Sequence, residues 1–458
     1  MVARRKRFGC HEGHDGNRPG GKKLGSNRMA TDQQLIQLAE VFVRAFQAAL
    51  VRSDEVFRTL LKEPGKGFSS GAHGTVEFTE ELLDASRNLS ARAMKVFGAS
   101  RIHQKSVEEV ARSIAFNSGD ADSVKDIAKA ISAGIGEAAN TKYRIIRPNT
   151  LVRAMDDVDE VRIGPVRIAK RESIRQDVEG SSSSIRISPI DSEKGAFTLI
   201  EDGASLSAHI HLPELCWDVS VQGMTKGLEL QALWFIDVAI SFIRLHYEKP
   251  RGLFPKLADV EPHPLYPHPN QSHGLSIGPA GPAFGGGTTA PWYELDADVI
   301  AILNSAKVIG VAEQVFDPKS NTLSERMQQA LGWLTRARRA QEPAERVLLF
   351  FTTIEALLSG ASKDGPVTET ISRYAGVIWS EKPETRLALY KSLKKHYDLR
   401  SRIVHNGERS VAQIEVNNVH YIAWTITQIL LRRADLTVKH VDFIETLKAA
   451  SFGTKLEI

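Results

Sequence analysis

The chain has 458 residues, of which 42% are hydrophobic, 7% aromatic and 25% charged, a composition that excludes wholesale disorder and collagen-like repetition. At about 100 to 200 residues per domain the length predicts two or three domains, each with a core. The net charge of +4 is too small to mark the whole molecule as a nucleic-acid binder.

Charge is nevertheless unevenly placed. Residues 1–30 hold 8 basic and 2 acidic side chains, residues 321–458 hold 20 and 15, and the stretch between holds 31 and 38. Cys10 and Cys216 are the only cysteines, so at most one disulfide could form and a cytoplasmic setting is the simplest expectation. The basic amino terminus lacks an apolar h-region. The most apolar windows, 230–243 and 347–358, each contain a carboxylate and are shorter than the roughly 18 residues of a membrane span. No membrane is expected.

In chain order, residues 1–30 read as a disordered basic tail, with Met29 a candidate alternative start. Residues 31–248 read as an α+β region. Leu35, Leu38, Val41, Val43, Phe46 and Leu50 predict a helix over 32–61, and further helices are predicted at 80–97 and 107–139, with turns at 65–74 and 117–122. Short β-branched runs at 143–146, 158–163, 166–168, 185–187 and 197–200 predict a small antiparallel sheet, with more strand in 206–221 and a long helix over 226–247.

Residues 249–292, rich in Pro, Gly and His, read as a linker or loop without regular structure. Helices return at 296–316, 323–340, 342–359, 367–379, 384–406 and 411–434, giving an all-α domain over 293–440 and a tail over 441–458. The fold class is therefore α+β multidomain: a helical amino-terminal region, a small antiparallel middle and a carboxy-terminal helical bundle.

Metal-binding patterns are weak. Cys10, His11 and His14 lie among basic residues. His209, His211 and Cys216 lie on or beside a strand, and His263, His268 and His273 are strung along the Pro-rich stretch. Gly285 to Thr289 lacks the lysine of a phosphate loop, and no nucleophile elbow or zincin helix occurs. No metal and no cofactor is expected.

The segment 384–406 differs. Leu387, Tyr390, Leu393, Tyr397, Arg400 and Val404 recur at helical spacing, so Arg400 interrupts an apolar stripe and needs a carboxylate, a phosphate or water to receive it. Lys391, Lys394, Lys395 and Arg402 make the same helix basic. His405 precedes Asn406 and Gly407, a helix stop, and a cationic imidazole is favoured at a helix carboxy end. Five residues apart, Arg400 and His405 lie roughly 140° apart around an ideal helix. They converge only if the last turn unwinds or a second copy supplies the complementary pair.

The stretch from Tyr397 to Gly407 resembles the R-x4-H motif of the HEPN superfamily, specifically its Apea-like branch. Trp333 with its neighbours, and the run Phe350 to Leu358 that contains Glu355, resemble the helices preceding that motif; the resemblance covers about 320–436. It implies an all-α bundle that dimerises through the carboxy-terminal domain, joining two motifs in a basic cleft as a metal-independent endoribonuclease that leaves a 2′,3′-cyclic phosphate. Arg400 and His405 would be catalytic, with Glu355, Ser401 and Asn406 in support. Ser401 follows the arginine where active members often carry Asn, Asp or His, and its hydroxyl can still hydrogen-bond a phosphate.

Lys391, Lys394, Lys395 and Arg402 are the expected RNA contacts, and RNA the expected partner. The function expected is that of a toxin or defence effector, its 31–248 region sensing a trigger ligand or protein and its acidic middle able to occupy the basic surface. The alternative is a non-catalytic bundle that binds RNA, a nucleotide or a protein.

Overall fold

A computed structural model of the chain describes residues 32–51, 56, 67–71, 74–118, 122–149, 152–155, 158–181, 185–189, 197–202, 205–246, 275–278, 281–284, 293–340, 342–360 and 366–456. The expectations for residues 1–30, for Met29, for Cys10, His11 and His14, for His263, His268 and His273 and for 285–289 lie outside the described residues. Two compact units emerge. One holds the described residues up to Arg92 together with Ala111–Gly134, the other holds Ala93–Val110 and everything from Ile135 onward.

In the first unit, α1 (Gln33–Ala48) begins where the Asp32 carboxylate accepts the Leu35 N–H at 2.7 Å, filling one of the helix's unpaired donors. Asp32 also receives the Arg92 guanidinium, Nε at 3.1 Å, which holds its carboxyl below the usual carboxylate range. The buried stripe is Leu35, Ile36, Ala39, Phe42, Val43 and Phe46, and Val41 and Leu50 are exposed. A strict three-residue step drifts about 60° around a helix each time, so the alternating steps of one, three and three keep the face. The helix stops far short of 61, and β1 (Leu50–Val51) pairs antiparallel with β3 (Gly74–Glu77), which pairs in turn with β2 (Phe68–Gly71). The expected turn at 65–74 therefore contains a strand. Helices α2 (Glu80–Phe97), α3 (Gln104–Asn117) and α4 (Val124–Asn140) follow.

The second unit opens on a four-stranded antiparallel sheet in the order β4 (Lys142–Pro148), β11 (Leu215–Gln222), β7 (Val166–Lys170), β6 (Glu160–Ile163). Strands β6 and β7 turn through Gly164 at φ +56°, a conformation that glycine takes without steric cost. One face of the sheet presents Trp217, Val219, Val221, Ile168 and Ile163 to α6 (Leu228–His246). The opposite face buries Cys216, Ala169 and Ile187 with Ile174 of α5 (Arg171–Ser181), and burial pushes the Cys216 thiol up to about 12. On that face Arg144 and Arg167 grip Asp218 and reach Asp177 of α5, at 2.6 to 3.1 Å.

A second sheet, β8 (Ile185–Pro189), β10 (Ser205–Leu212), β9 (Phe197–Asp202), is mixed, because β8 runs parallel to β10. Strand β5 (Val152–Met155) pairs in parallel with β14 (Tyr293–Leu295). Within the stretch expected to lack regular structure, β12 (Leu275–Gly278) pairs with β13 (Gly281–Phe284). Pro282 is tolerated there, since a strand of a two-stranded ribbon has one edge without ladder bonds.

The predicted helix over 296–316 is two helices, α7 (Ala297–Leu303) and α8 (Ala306–Phe316), broken where Ser305 caps the Val308 N–H. Then come α9 (Leu323–Arg339), α10 (Pro343–Leu358), α11 (Val367–Trp379), α12 (Pro383–Asn406), α13 (Gln413–Arg433) and α14 (His440–Ser451). Helix α14 replaces the expected tail: Phe443, Ile444, Leu447 and Ala450 are buried, and His440 Nε2 donates to the Leu357 carbonyl at 2.8 Å. Among the described residues no single helix is long and apolar enough to cross a membrane; the bent pair α7 and α8 passes by length and composition, but its apolar residues are part of the core.

Residues 249–292 do not separate two cores. Helix α6 is buried on all sides from Ile236 to His246, and one continuous apolar cluster runs from the sheet through α6 into α9, α10 and α13. The α6–α9 contact is locked by Asp237, whose carboxylate takes Arg336 at 2.9 Å and Arg339 at 2.6 Å, and by Thr335, which donates to the Asp237 carbonyl at 2.6 Å. The helices approach closely because position 332 has no side chain: a Cβ there would lie 2.4 Å from the Trp234 indole. Gly332→Leu should accordingly cost about 1–3 kcal/mol, read as a fall in melting temperature. Gly310→Ala, inside α8 and facing open space, should leave the melting temperature unchanged or raise it.

Candidate functional site

Helix α12 owes its position to Leu389, Leu393, His396, Tyr397, Leu399 and Ile403, which are buried against α10, α11 and α13. The expected stripe is therefore rotated: Leu387 and Val404 are 52% and 50% exposed, and Arg400 flanks the buried face at its edge. There it meets Glu355 of α10. The guanidinium Nε lies 3.2 Å from Oε1 and Nη2 donates to Oε2 at 3.3 Å, with the side chains 35% and 23% exposed. Nη2 makes the hydrogen bond and Nε, buried beside Oε1, makes none, so the pair is a single-bonded ion pair whose carboxylate comes from within the same chain.

Tyr397, packed on Phe351 with ring centres 4.4 Å apart, lies beside the same carboxylate. Burial raises the Glu355 carboxyl above its usual range, against the opposing pull of Arg400 and Tyr397; burial likewise pushes the Tyr397 phenol up. Glu355 is thus held in a place that favours its protonated form, with Arg400 as the group that keeps it ionised.

His405, Ser401 and Asn406 are exposed at the end of α12. The last turn does not unwind: Gly407 takes φ +65° and donates its N–H to the Arg402 carbonyl, closing the helix. Arg400 and His405 stay on different sides of a regular helix, and the convergence by unwinding does not occur within one chain.

The basic character of α12 is largely neutralised. Lys394 pairs with Glu369 at 3.1 Å, Lys395 with Glu415 at 3.0 Å and Arg402 with Glu408 at 2.7 Å; His396 faces Glu415 at 2.7 Å. Lys391 and His405 make no ion pair among the described residues. The acids that meet the cations of α12 come from the carboxy-terminal segment itself rather than from the acidic middle. Solvent-facing pairs of this kind are worth about 0–1 kcal/mol each, so a phosphate could displace them. A depression of about 290 Å³ lies beside the motif, between Asp398, Arg402, Glu408 and Val411.

Among the described residues no three His, Cys, Asp or Glu side chains are placed to hold a metal. His211 is instead engaged through Nδ1 with the Pro189 carbonyl at 3.0 Å, and Cys216 lies buried in the apolar cluster under α5. Sequence reasoning also missed a buried polar cluster. His420 of α13 stacks on Phe350, takes Arg338 on Nε2 at 3.2 Å, and is held well below the ordinary imidazole range by burial and by Arg338, Arg346 and Arg244. These arginines come from α6, α9 and α10, so no local pattern shows them together.

No family model, curated protein or solved structure matches the chain. The HEPN resemblance rests on the residues that carry it.

Glu355 also gives the site a pH signature. Because the folded carboxyl binds its proton more tightly than the unfolded one, its stabilising contribution is complete below the unfolded value of about 4.3. It is lost as pH rises through the higher folded value. Glu355→Gln copies the neutral form, so the variant should gain stability relative to wild type between pH 4 and pH 7, measured by thermal unfolding at both.

Proposed function

We propose that the chain is an endoribonuclease of HEPN type, acting on RNA through Arg400 and His405 of two copies joined at the carboxy-terminal bundle. The observation that carries this reading is the partly exposed Arg400–Glu355 ion pair on the helix whose last turn presents His405 to solvent. Arg400 is held but not sequestered, and burial makes Glu355 a reluctant anion that phosphate oxygens can replace. His405 would remove the proton from the ribose 2′-hydroxyl, or deliver one to the leaving 5′-oxygen, a contribution of about 10²- to 10⁴-fold. Arg400 would stabilise the charge developing on the phosphorane. The products are a 2′,3′-cyclic phosphate and a free 5′-hydroxyl, with no metal needed. A regular α12 keeps the two side chains apart in one chain, which is why the reading requires a second copy. The setting is a cytoplasmic toxin or defence effector whose α+β portion responds to a trigger.

One observation favours a second reading. The pairing of Lys394, Lys395 and Arg402 with neighbouring acids leaves little free positive charge for RNA, as suits a bundle that binds RNA, a nucleotide or a protein without cleaving.

Purified wild type, Arg400→Ala and His405→Ala incubated with total RNA in EDTA, with end-group analysis of fragments, separates the two. His405 is exposed, so its removal should leave circular dichroism unchanged while cleavage falls by about 10²-fold or more. Equal cleavage by all three proteins would remove the proposed site. Salt-sensitive binding without fragments would favour the second reading.

A further inference from the structure

Lys394, Lys395, Arg402 and Arg400 of α12 each hold an acid of the same chain, and those acids fare differently when the cation is withdrawn. Glu369, 48% exposed, passes to water. Glu415 keeps His396, whose Nε2 lies 2.7 Å away. Glu355 has neither recourse. Its side chain is 23% exposed, and Arg400 is its one cation among the described residues. The other group acting on the carboxylate is the Tyr397 hydroxyl, a neutral dipole that is itself buried and without a hydrogen-bond partner among the described residues. Helices α11 and α13 pack against α10 but bring no charged group to bear on it.

The contact that holds Glu355 is also the longest of the four. Arg400 gives it one hydrogen bond, Nη2 to Oε2 at 3.3 Å, against 2.7 to 3.1 Å in the other three pairs. Nη1 makes no hydrogen bond among the described residues, and the side chain is 35% exposed, so a phosphate oxygen can reach the guanidinium before the carboxylate has left. A phosphate that engages both terminal nitrogens gains a charge-assisted, bidentate contact that the carboxylate lacks here. Were Glu355 to stay ionised beside it, two anions would share one cation at a place short of water. Like charges so placed, together with burial, favour the protonated form of the carboxyl. The phosphodiester is the stronger acid, so the proton goes to the carboxylate.

We propose that RNA reaches Arg400 by exchange: a backbone phosphate displaces Glu355 from the guanidinium, and the released carboxylate takes one proton from solvent, a step that rests on the reading of Arg400 as the group that receives RNA. Charge is conserved in the exchange. Before it, the single positive charge of Arg400 is balanced by Glu355; after it, by the phosphodiester, with Glu355 neutral. Glu355 is then a positioning residue. It holds Arg400 in place while the site is empty, and the proton it takes makes loading of the site stronger as pH falls.

The test is calorimetric titration of the full chain carrying His405→Ala, which removes both cleavage and the titrating imidazole of the motif. The probe is a short mixed-sequence 2′-O-methyl RNA, whose phosphodiesters carry no proton between pH 5 and pH 8. Paired buffers of different ionisation heat give the protons taken up on binding. The expected result is proton uptake with an affinity that rises as pH falls from 8 to 5, by at most tenfold per pH unit for each proton. Adding Glu355→Gln, which copies the neutral carboxyl, should tighten binding at least threefold at pH 8 and remove this uptake, and the two proteins should converge toward pH 5. Adding Arg400→Ala should weaken binding at least tenfold. Equal affinity at pH 8 with Glu or Gln at position 355, or uptake unchanged by Glu355→Gln, overturns the exchange while leaving the nuclease reading in place. An affinity untouched by Arg400→Ala, or no binding of RNA at all, overturns both.

Discussion

The buried Asp237 carboxylate is the joint on which the second unit depends. It sits on a helix surrounded by apolar side chains, and burying a charge is costly unless it is paired and hydrogen-bonded. Arg336 and Arg339 of α9 supply the pairing, and Thr335 satisfies the neighbouring carbonyl. Removing one partner of such a pair typically costs about 3–5 kcal/mol, because the other charge is stranded. Arg336 also lies over the rings of Trp234 and Trp333, at 4.7 and 5.3 Å, so one guanidinium serves both the ion pair and the aromatic contact. Because α6 also carries the apolar face of the sheet, the orientation of the sheet and that of the helical bundle are set by the same joint.

This arrangement ties the motif to the sheet. The motif helix leans on α10, which packs against α9, and α9 meets α6 across the Asp237 joint, all on one continuous core. Arg400 stays available because its partner is an acid whose ionised form is disfavoured by burial.

Helices with strong local signals were legible in the sequence. The bounds of α2 and α11 match their predicted ranges, and α12 differs by one residue at its start, because Pro383, Gly407 and the apolar spacing act locally. What failed depended on partners distant in the chain. The face of α12 was misread because Tyr397 and Leu393 have near neighbours in spacing, such as Leu387 and Val404, that happen to face solvent. Segment charge counting marked α12 as basic but could not pair Lys394 with Glu369 or Lys395 with Glu415, residues 20 or more positions away. Helix α14 was missed since its apolar residues matter only once α11 is beside it. Glu355 was expected in support of Arg400 and His405 through a resemblance in helix order, whereas the buried cluster of His420 with Arg244, Arg338 and Arg346, drawn from four helices, left no pattern to read.

The continuous core changes what the Pro- and Gly-rich stretch between α6 and β14 means. Covalent continuity there is not what keeps the halves together: α6 is enclosed by α9 and α13, with the Leu245 carbonyl taken by Arg432 and Gln428. A protease that nicked the chain between 247 and 292 would leave two fragments that remain associated, migrating together under native conditions and apart only in denaturant.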